Sequence, residues 1–242
     1  MNLIVDAGNT FVKWAIFKED NIVKKDIAQY EELENTLMSI NKRYPKVKSC
    51  MISSVGNFPL SLIPELKKSY EVYTLDYKTN LPFKNLYETP KTLGVDRIAL
   101  ISACVEKFPE KPCLVIDAGT CITYDFVDAN KQYYGGSISP GIRLRYQALH
   151  NFTAKLPLLE TKQPKGFIGS NTQEAIHSGV IHGVSNEIDG IIDNYKLNYP
   201  DLTVILTGGD ANFLSKNLKS TIFANSNFLL EGLNFILKHN LD

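Results

Sequence analysis

One strand-and-turn phrase occurs twice in the chain, and it limits the possible folds more than any other feature of the sequence. Residues 3–10 read LIVDAGNT, and residues 114–120 read LVIDAGT. Each is a short apolar run that ends in Asp-Ala-Gly and a small polar tail, which predicts a buried strand entering a tight turn. A single copy is compatible with an ordinary β-turn whose aspartate caps its own backbone. Two copies indicate a common origin.

Similar elements follow the phrase in both halves of the chain. The further strands predicted from apolar and β-branched runs are 11–18 and 21–27 in the first half, and 121–127 and 132–139 in the second. A repeat of domain length indicates an internal duplication rather than a solenoid. We therefore predict an α/β fold of two duplicated domains, residues 1–110 and 111–242, each with a mixed β-sheet flanked by helices and with the ligand cleft between them. The C-terminal helix is compatible with packing back on the first domain.

The longest predicted helix spans residues 172–195. Its apolar stripe consists of Ile176, Val180, Val184, Ile188 and Ile191. Core packing is the default interpretation of such a stripe, and a dimer interface is the alternative. Ser170 and Gln173 have the spacing of a capping box at the start of this helix. His177 and His182 are not spaced for a metal site on one helix face, so we interpret them as surface or packing residues.

Charge and cysteine content exclude several functional classes. Lys plus Arg and Asp plus Glu both number 26, so no net charge favours nucleic acid or an anionic membrane. The cysteines, Cys50, Cys104, Cys113 and Cys121, have no metal-ligand spacing and are expected to be reduced thiols in or near strands. The N-terminus lacks the pattern of a signal peptide, and no apolar run is long enough to span a bilayer. We expect a cytoplasmic protein without nucleic-acid or membrane partners.

The residues of the two turns are suited to binding phosphate. Asp6 can hold a hydrated Mg²⁺ that bridges phosphate oxygens, while Gly8 permits a tight turn with exposed backbone N–H groups. Asn9 and Thr10 add side-chain donors, and Lys13 adds positive charge. The second turn offers the same chemistry through Asp117, Gly119 and Thr120. If the halves face each other, the two turns grip one polyphosphate, and the glycine pair in LTGG (residues 206–209) lets a nucleotide approach the backbone. The combination favours ATP.

Two further segments lie before predicted helices. The turn GVDR, residues 94–97, places Asp96 and Arg97 near a helix N-terminus. By itself, the commoner reading of this pattern is an N-cap aspartate beside a surface arginine. GGSISPG, residues 135–141, is dense in Gly and Ser and is expected to form a loop at an anion-friendly helix N-terminus, although turn chemistry alone also explains it.

Taken together, these residues resemble type III pantothenate kinases, which have the actin-like (ribonuclease H-like) fold of the ATPase and sugar-kinase superfamily. The resemblance covers essentially the whole chain and rests on DAGNT, YETPKTLGVDR, DAGTCITYD, GGSISPG, GSNTQEAIHSG and TGGD, in that order. GVDR and DAGTCITYD are the most discriminating of these motifs. The resemblance implies ATP-dependent phosphorylation of pantothenate to 4′-phosphopantothenate, the first step of coenzyme A biosynthesis. It also implies a homodimer, Mg²⁺ and a monovalent cation, K⁺ or NH₄⁺.

The resemblance also implies roles for individual residues. Asp96 corresponds to the general base and Asp117 to the ligand of the monovalent cation, while Asp6 binds Mg²⁺, directly or through water. The ATP-binding positions are Asp6, Ala7, Gly8, Asn9, Thr10, Phe11, Val12, Lys13 and Thr120. The pantothenate-binding positions are Tyr87, Gly94, Val95, Asp96, Arg97 and Thr172, with Arg97 pairing with the substrate carboxylate. In the family, the partner subunit can supply the residue corresponding to Thr172.

Two other functional classes remain as alternatives. A kinase of the same superfamily that acts on a sugar or another small acid would keep both DAG turns but lack GVDR after a tyrosine-containing loop. A non-enzymatic member that binds ATP and regulates transcription would need a DNA-binding feature. The balanced charge and the absence of a helix-turn-helix pattern argue against direct DNA contact.

Overall fold

The chain folds into two compact units in the computed structural model, which describes residues 1–56 and 58–241. The first unit contains Met1–Pro109, Lys131–Tyr133 and the C-terminal residues from Asn227 onward. The second contains Glu110–Asn130 and Tyr134–Ser226. Each unit has its own β-sheet and its own helices, so the chain is a mixed α/β protein as the sequence predicts.

A five-stranded sheet forms the centre of the first unit, with strand order β3-β2-β1-β4-β5. The strands are β1 (Asn2–Ala7), β2 (Val12–Lys18), β3 (Asn21–Ala28), β4 (Ser49–Ser54) and β5 (Glu71–Thr74). β1 pairs antiparallel with β2 and β2 with β3, which confirms the strands predicted over 11–18 and 21–27. β4 lies parallel to β1 on its other side. A two-residue strand, β6 (Lys84–Asn85), pairs with residues 132 and 133, which belong to the same unit.

Helices cover both faces of this sheet. They are α1 (Leu33–Arg43), α2 (Leu62–Lys67), α3 (Val95–Lys107) and, at the C-terminal end, α7 (Phe228–Leu241). Successive side chains of a strand point to opposite faces. Leu3, Val5 and Ala7 of β1 accordingly pack in the core with α1 and α2, while α3 and α7 pack together and against β4 and β1. Asp6 alternates with Val5 and Ala7, so it lies on the face of α3 and α7.

The second unit repeats the opening of the first. Its elements are β7 (Cys113–Ala118), β8 (Cys121–Val127), β9 (Gln132–Pro140), α4 (Ile142–Asn151), α5 (Thr172–Asn198), β10 (Thr203–Thr207), α6 (Ala211–Leu214) and β11 (Phe223–Ala224). The first two residues of β9 belong to the first unit. The strand order is β11-β10-β7-β8-β9, with β7 antiparallel to β8 and parallel to β10. The stripe of α5 packs in this core, with Ile192 fully buried and Ile191 partly so. Core packing of the stripe is therefore confirmed.

Several local expectations were wrong for identifiable physical reasons. Residues 135–140 form the end of β9, which confirms the strand predicted over 132–139 and corrects the expectation of a loop at 135–141. Gly136 is required because a Cβ there would collide with the carbonyl of Tyr124 in β8. The N-cap of α5 is Asn171, not Ser170. Its side chain accepts a hydrogen bond from Glu174 N at 3.0 Å, so the same cap spacing is used one residue later.

The cysteines are unpaired thiols within the described part of the chain, and three of them are buried. Cys104 lies in α3, which corrects the expectation that all four lie in or near strands. Burial raises the pKa of the Cys50 thiol to about 12, so this side chain is inert at neutral pH.

Candidate active site

The first DAG turn joins β1 to β2 through the four residues 8–11, since Ala7 and Val12 form the last pair of the ladder. Gly8 N donates to Phe11 O at 3.1 Å and closes the turn. Asp6 is only 6% exposed, whereas Asn9 and Thr10 are exposed. The turn therefore presents its donors to solvent and holds its carboxylate at the edge of the core, as a phosphate-binding turn requires.

Residues distant in sequence hold this turn in place. Tyr30 donates its hydroxyl proton to Gly8 O at 2.5 Å, and Gly56 N donates to Ala7 O at 3.3 Å. Burial, and then the charge of Asp6, raise the pKa of Tyr30, so this phenol remains a hydrogen-bond donor at neutral pH. Neither support is evident from the sequence, because neither Tyr30 nor Gly56 lies in a motif.

The second DAG turn, between β7 and β8, is one residue shorter than the first. Ala118 and Ile122 form the last pair, and Gly119 N donates to Cys121 O at 3.0 Å. Thr120 is exposed, as are Asn9 and Thr10 in the first turn. The two copies thus keep the same strand, aspartate and glycine but differ in loop length.

Arg145 organises the backbone beside the second turn. Its Nε donates to Pro140 O at 2.9 Å, and its Nη2 donates to Ser139 Oγ at 2.9 Å and to Glu187 at 2.6 Å. Tyr124 also donates to Glu187, at 2.9 Å. Burial by itself would raise the pKa of Glu187, but the hydrogen bonds from these partners outweigh it and keep that pKa below its ordinary value. The network orders the chain that enters α4, where Gly141 N donates to Thr120 O at 3.1 Å.

The TGGD motif packs directly on the second turn. Asp210 N donates to Ala118 O at 3.0 Å. Gly208 has φ of +94°, and a Cβ there would meet the carbonyl of Ala118 and a carboxylate oxygen of Asp117. Burial raises the pKa of Asp210. Two motifs that are 90 residues apart in sequence therefore form one constellation.

We expect Gly208→Ala to lower the thermal midpoint by about 5 °C and to weaken ATP binding, because the new methyl group adds backbone strain and displaces the Asp117 carboxylate. Gly209→Ala is the matched control, since a Cβ at Gly209 meets no atom of the described residues within 4 Å. Differential scanning fluorimetry with and without ATP compares the two variants. Equal thermal midpoints of Gly208→Ala and Gly209→Ala would contradict the close approach of Gly208 to Ala118 and Asp117.

The GVDR turn begins α3 with Gly94 as the N-cap and Asp96 in the first helical turn. Asp96 Oδ1 accepts a hydrogen bond from Arg97 N at 2.8 Å, which orients the carboxylate. Arg97 is 6% exposed, and its guanidinium carbon lies 5.4 Å from the centre of the Tyr87 ring. The reading as an N-cap aspartate beside a surface arginine is therefore wrong: the cap is a glycine and the arginine is buried.

An aromatic stack supports Tyr87 from behind. Its ring is stacked on Tyr133 at 6.2 Å between centroids, and Phe83 meets Tyr133 edge-on at 5.9 Å. Tyr133 is fully buried. The roles of Phe83 and Tyr133 are not evident from the sequence, since QYYGG indicates only a strand. The stack fixes the position of the Tyr87 ring, over which the Arg97 guanidinium lies.

Thr172 lies in a different part of the fold from Asp96. It is the first residue of α5 in the second unit, is exposed, and borders an open apolar groove of about 860 Å³ between α4 and α5. Leu149, Phe152, Leu156, Ile176 and Val180 line this groove. Phe152 is 88% exposed, which is unusual for so large an apolar side chain. His177 is buried and bonds to the Tyr146 hydroxyl at 2.8 Å, so its reading as a packing residue is confirmed.

The oxygen donors of the two DAG turns are suited to hard cations that are also bound by substrate and water, and not to a metal ion held by protein ligands alone. Among the residues described, no three His, Cys, Asp or Glu side chains form a cluster that could hold a metal ion. Mg²⁺ in kinase sites is bound by one or two carboxylates, water and substrate phosphates, and Asp6 at the edge of the core fits that pattern. A carboxylate oxygen of Asp117 and the carbonyl oxygen of Ala118 both lie against Gly208. Such oxygen donors fit a monovalent cation.

The chain matches known proteins over its full length. A family model described as type III pantothenate kinase matches residues 2–194. The type III pantothenate kinase of Flavobacterium johnsoniae is 48% identical over 242 residues, covering 100% of this chain and 99% of that protein. The enzyme of the same name from Bacteroides fragilis strain YCH46 is 44% identical over 241 residues, covering 99% and 98%.

Solved structures at low identity show the same fold. A Campylobacter jejuni protein described as belonging to the Baf family of transcriptional activators superposes with a TM-score of 0.65 at 22% identity, covering 99% of this chain and 98% of that one. A glucokinase from an Antarctic psychrotroph superposes with a TM-score of 0.56 at 12% identity, covering 98% of both. These likenesses establish the actin-like, sugar-kinase fold. No described helix is both long and apolar enough to cross a membrane.

Proposed function

This chain belongs to the type III pantothenate kinase family, and we propose that Asp96 is the general base with which it phosphorylates pantothenate at the expense of ATP. The reaction forms 4′-phosphopantothenate, the first intermediate of coenzyme A biosynthesis. The observation that carries the assignment is the start of α3, where an oriented carboxylate lies next to a buried arginine whose guanidinium lies over a tyrosine ring. ATP as the phosphoryl donor is in keeping with the cytoplasmic location expected from the sequence.

Asp96 is placed to accept the proton of the substrate hydroxyl. As the hydroxyl oxygen bonds to the γ-phosphorus, the bond from phosphorus to the leaving ADP oxygen breaks and the proton passes to the carboxylate. Phosphoryl transfer has a loose transition state, so positioning contributes more than a strongly raised pKa. The hydrogen bond from Arg97 N to Oδ1 orients this carboxylate at the start of α3.

Arg97 is suited to bind the pantothenate carboxylate. Its planar guanidinium can donate two parallel hydrogen bonds to the two carboxylate oxygens. Burial and contact with the Tyr87 ring restrict the side chain, so less conformational entropy is lost when the substrate binds. Tyr87 is held by the stack on Tyr133 and contributes one wall of the same subsite.

The phosphates of ATP are assigned to the two DAG turns. Exposed donors at Asn9 and Thr10, with Lys13 on the next strand, suit the first turn to phosphate oxygens. Bound Mg²⁺ supplies charge neutralisation of those phosphates. Asp6 is the residue that would hold it, and Thr120 is the ATP contact of the second turn.

A monovalent cation is assigned to Asp117, and we expect turnover to require K⁺ or NH₄⁺ and to fail in Na⁺ alone. Cations of different radius differ in how well a fixed set of oxygen donors replaces their hydration shell. Initial rates at constant ionic strength in the three chlorides measure this requirement, and Asp117→Asn should abolish the difference. Equal rates of the wild type in all three salts would remove Asp117 from this role.

We assign the apolar groove between α4 and α5 to a homodimer interface, because it borders Thr172 and exposes Phe152. Phe152→Asp should give monomers in size-exclusion chromatography with light scattering and should raise the KM for pantothenate at least severalfold. Leu197→Asp is the matched control, since Leu197 is an exposed apolar residue on α5 outside this groove. A wild-type monomer with full activity would contradict the assignment.

The substrate assignment is tested by a coupled ADP-release assay with pantothenate and a panel of sugars and small hydroxy acids. We expect ADP release above background with pantothenate only. Comparable rates with a sugar would instead favour another kinase of the same fold. ATP binding without turnover on any acceptor would favour a regulatory protein.

A further inference from the structure

We propose that Ser53 is a positioning residue for the Asp6 carboxylate, an inference that rests on the proposed phosphate-binding role of the first turn. Ser53 lies in β4 and pairs with Asp6 in the parallel register of β1 and β4. On the other side, Lys13 of β2 pairs with Asp6. The three side chains form one row across the sheet, and the row runs from half-buried Lys13 through Asp6 to Ser53, which is 0% exposed.

The Ser53 hydroxyl differs from the hydroxyls of two other fully or nearly fully buried serines, Ser102 and Ser185. Ser102 donates to the carbonyl of Ile98, and Ser185 donates to that of Ile181, so both satisfy their hydroxyls within their helices. Ser53 Oγ is buried without a hydrogen-bond partner among the described residues. A buried hydroxyl without a partner destabilises the folded state, and alanine would fill the position at lower cost. A purely structural role therefore does not explain a serine here.

The geometry points to the Asp6 carboxylate as the acceptor of a hydrogen bond from the Ser53 hydroxyl. Residues paired in a sheet lie about 4.8 Å apart in the hydrogen-bonding direction, with their side chains on the same face. Rotation about χ1 of Ser53 can therefore bring its proton to the nearer carboxylate oxygen. We infer that this bond forms when Asp6 engages Mg·ATP. It fixes the carboxylate from its buried side.

The test compares Ser53→Ala with Ser49→Ala. Ser49 is a buried serine on the same strand and the same face, but it pairs with Asn2 at the far end of β1. Isothermal titration calorimetry with Mg·ATP should show roughly tenfold weaker binding for Ser53→Ala only, the loss typical of a charge-assisted hydrogen bond. The ligand-free thermal midpoint should stay equal or rise, and the KM for pantothenate should not change. Wild-type affinity in Ser53→Ala, or equal losses in both variants, would overturn the proposal.

Two further variants separate this inference from the proposed function. If Ser53→Ala does not fold, Ser53→Cys keeps a side chain with a single, somewhat larger γ atom but has only a weak donor, and it should show the same loss of affinity. Asp6→Asn tests the turn itself. If Asp6→Asn weakens Mg·ATP binding and Ser53→Ala does not, only the role of Ser53 is rejected. Unchanged binding in Asp6→Asn would reject the assignment of the first turn as well.

Discussion

Replacing Asp96 by asparagine is expected to lower kcat by about three orders of magnitude, in the range found when a general base is removed. Asparagine keeps the size of the side chain, and its carbonyl oxygen can still accept the hydrogen bond from Arg97 N, so the start of α3 should be preserved. It cannot take up the proton of the attacking hydroxyl. Steady-state ADP release measures kcat, and calorimetry should show that ATP binds with wild-type affinity.

The control for Asp96 is Glu106→Gln, which neutralises an exposed acid near the other end of the same helix. It should leave kcat and both KM values unchanged. Retained turnover in Asp96→Asn would remove Asp96 from the role of base. A simultaneous loss of ATP affinity would show that the variant acts through the nucleotide site and not through proton transfer.

Arg97→Lys is expected to lower kcat/KM for pantothenate about a hundredfold, with the KM for ATP unchanged. Lysine keeps the positive charge but loses the planar pair of donors and the flat contact with Tyr87. Loss of substrate orientation should reduce kcat, and loss of the paired hydrogen bonds should raise KM. Steady-state kinetics with pantothenate as the varied substrate separate the two effects.

A substrate without the carboxylate is the sharpest control for Arg97. Pantothenol replaces that group by a primary alcohol, so the wild type should process it much less efficiently than pantothenate. Arg97→Lys should show a much smaller difference between the two substrates, because the bidentate interaction is already missing. If the wild type and Arg97→Lys discriminated equally between pantothenate and pantothenol, the substrate carboxylate would bind away from Arg97. Circular dichroism checks that substitution of this buried side chain preserves the fold.

The strands, the two DAG turns and the start of α3 could be predicted because their signals are local. Apolar runs, glycines and Asp-Ala-Gly define a strand and its turn within about ten residues. The same local logic failed at Gly136, where the glycine permits contact with the neighbouring strand at Tyr124 and does not mark a loop. A glycine is required either where a neighbouring group leaves no space for a Cβ or where the backbone has a positive φ angle. The sequence alone does not say which of the two applies.

Long-range support of the site could not be predicted in this way. Tyr30 binds Gly8 across 22 residues, and Tyr133 reaches Tyr87 from the start of β9, before the GGSISPG motif. The burial of Arg97 also depends on tertiary packing, since an arginine after an N-terminal aspartate is ordinarily exposed. The roles assigned to Asp96, Arg97 and Asp117 stay predictions that the proposed variants test, and the role of Thr172 stays a prediction that Phe152→Asp tests indirectly.

Identification of the product tests the central claim most directly. The purified wild-type protein is incubated with pantothenate, ATP, Mg²⁺ and K⁺, and the product is analysed by ³¹P and ¹H nuclear magnetic resonance. We predict one new phosphate monoester whose phosphorus couples to the methylene protons of the primary hydroxyl carbon of pantothenate. Unchanged pantothenate after prolonged incubation, or release of inorganic phosphate in its place, would contradict the account.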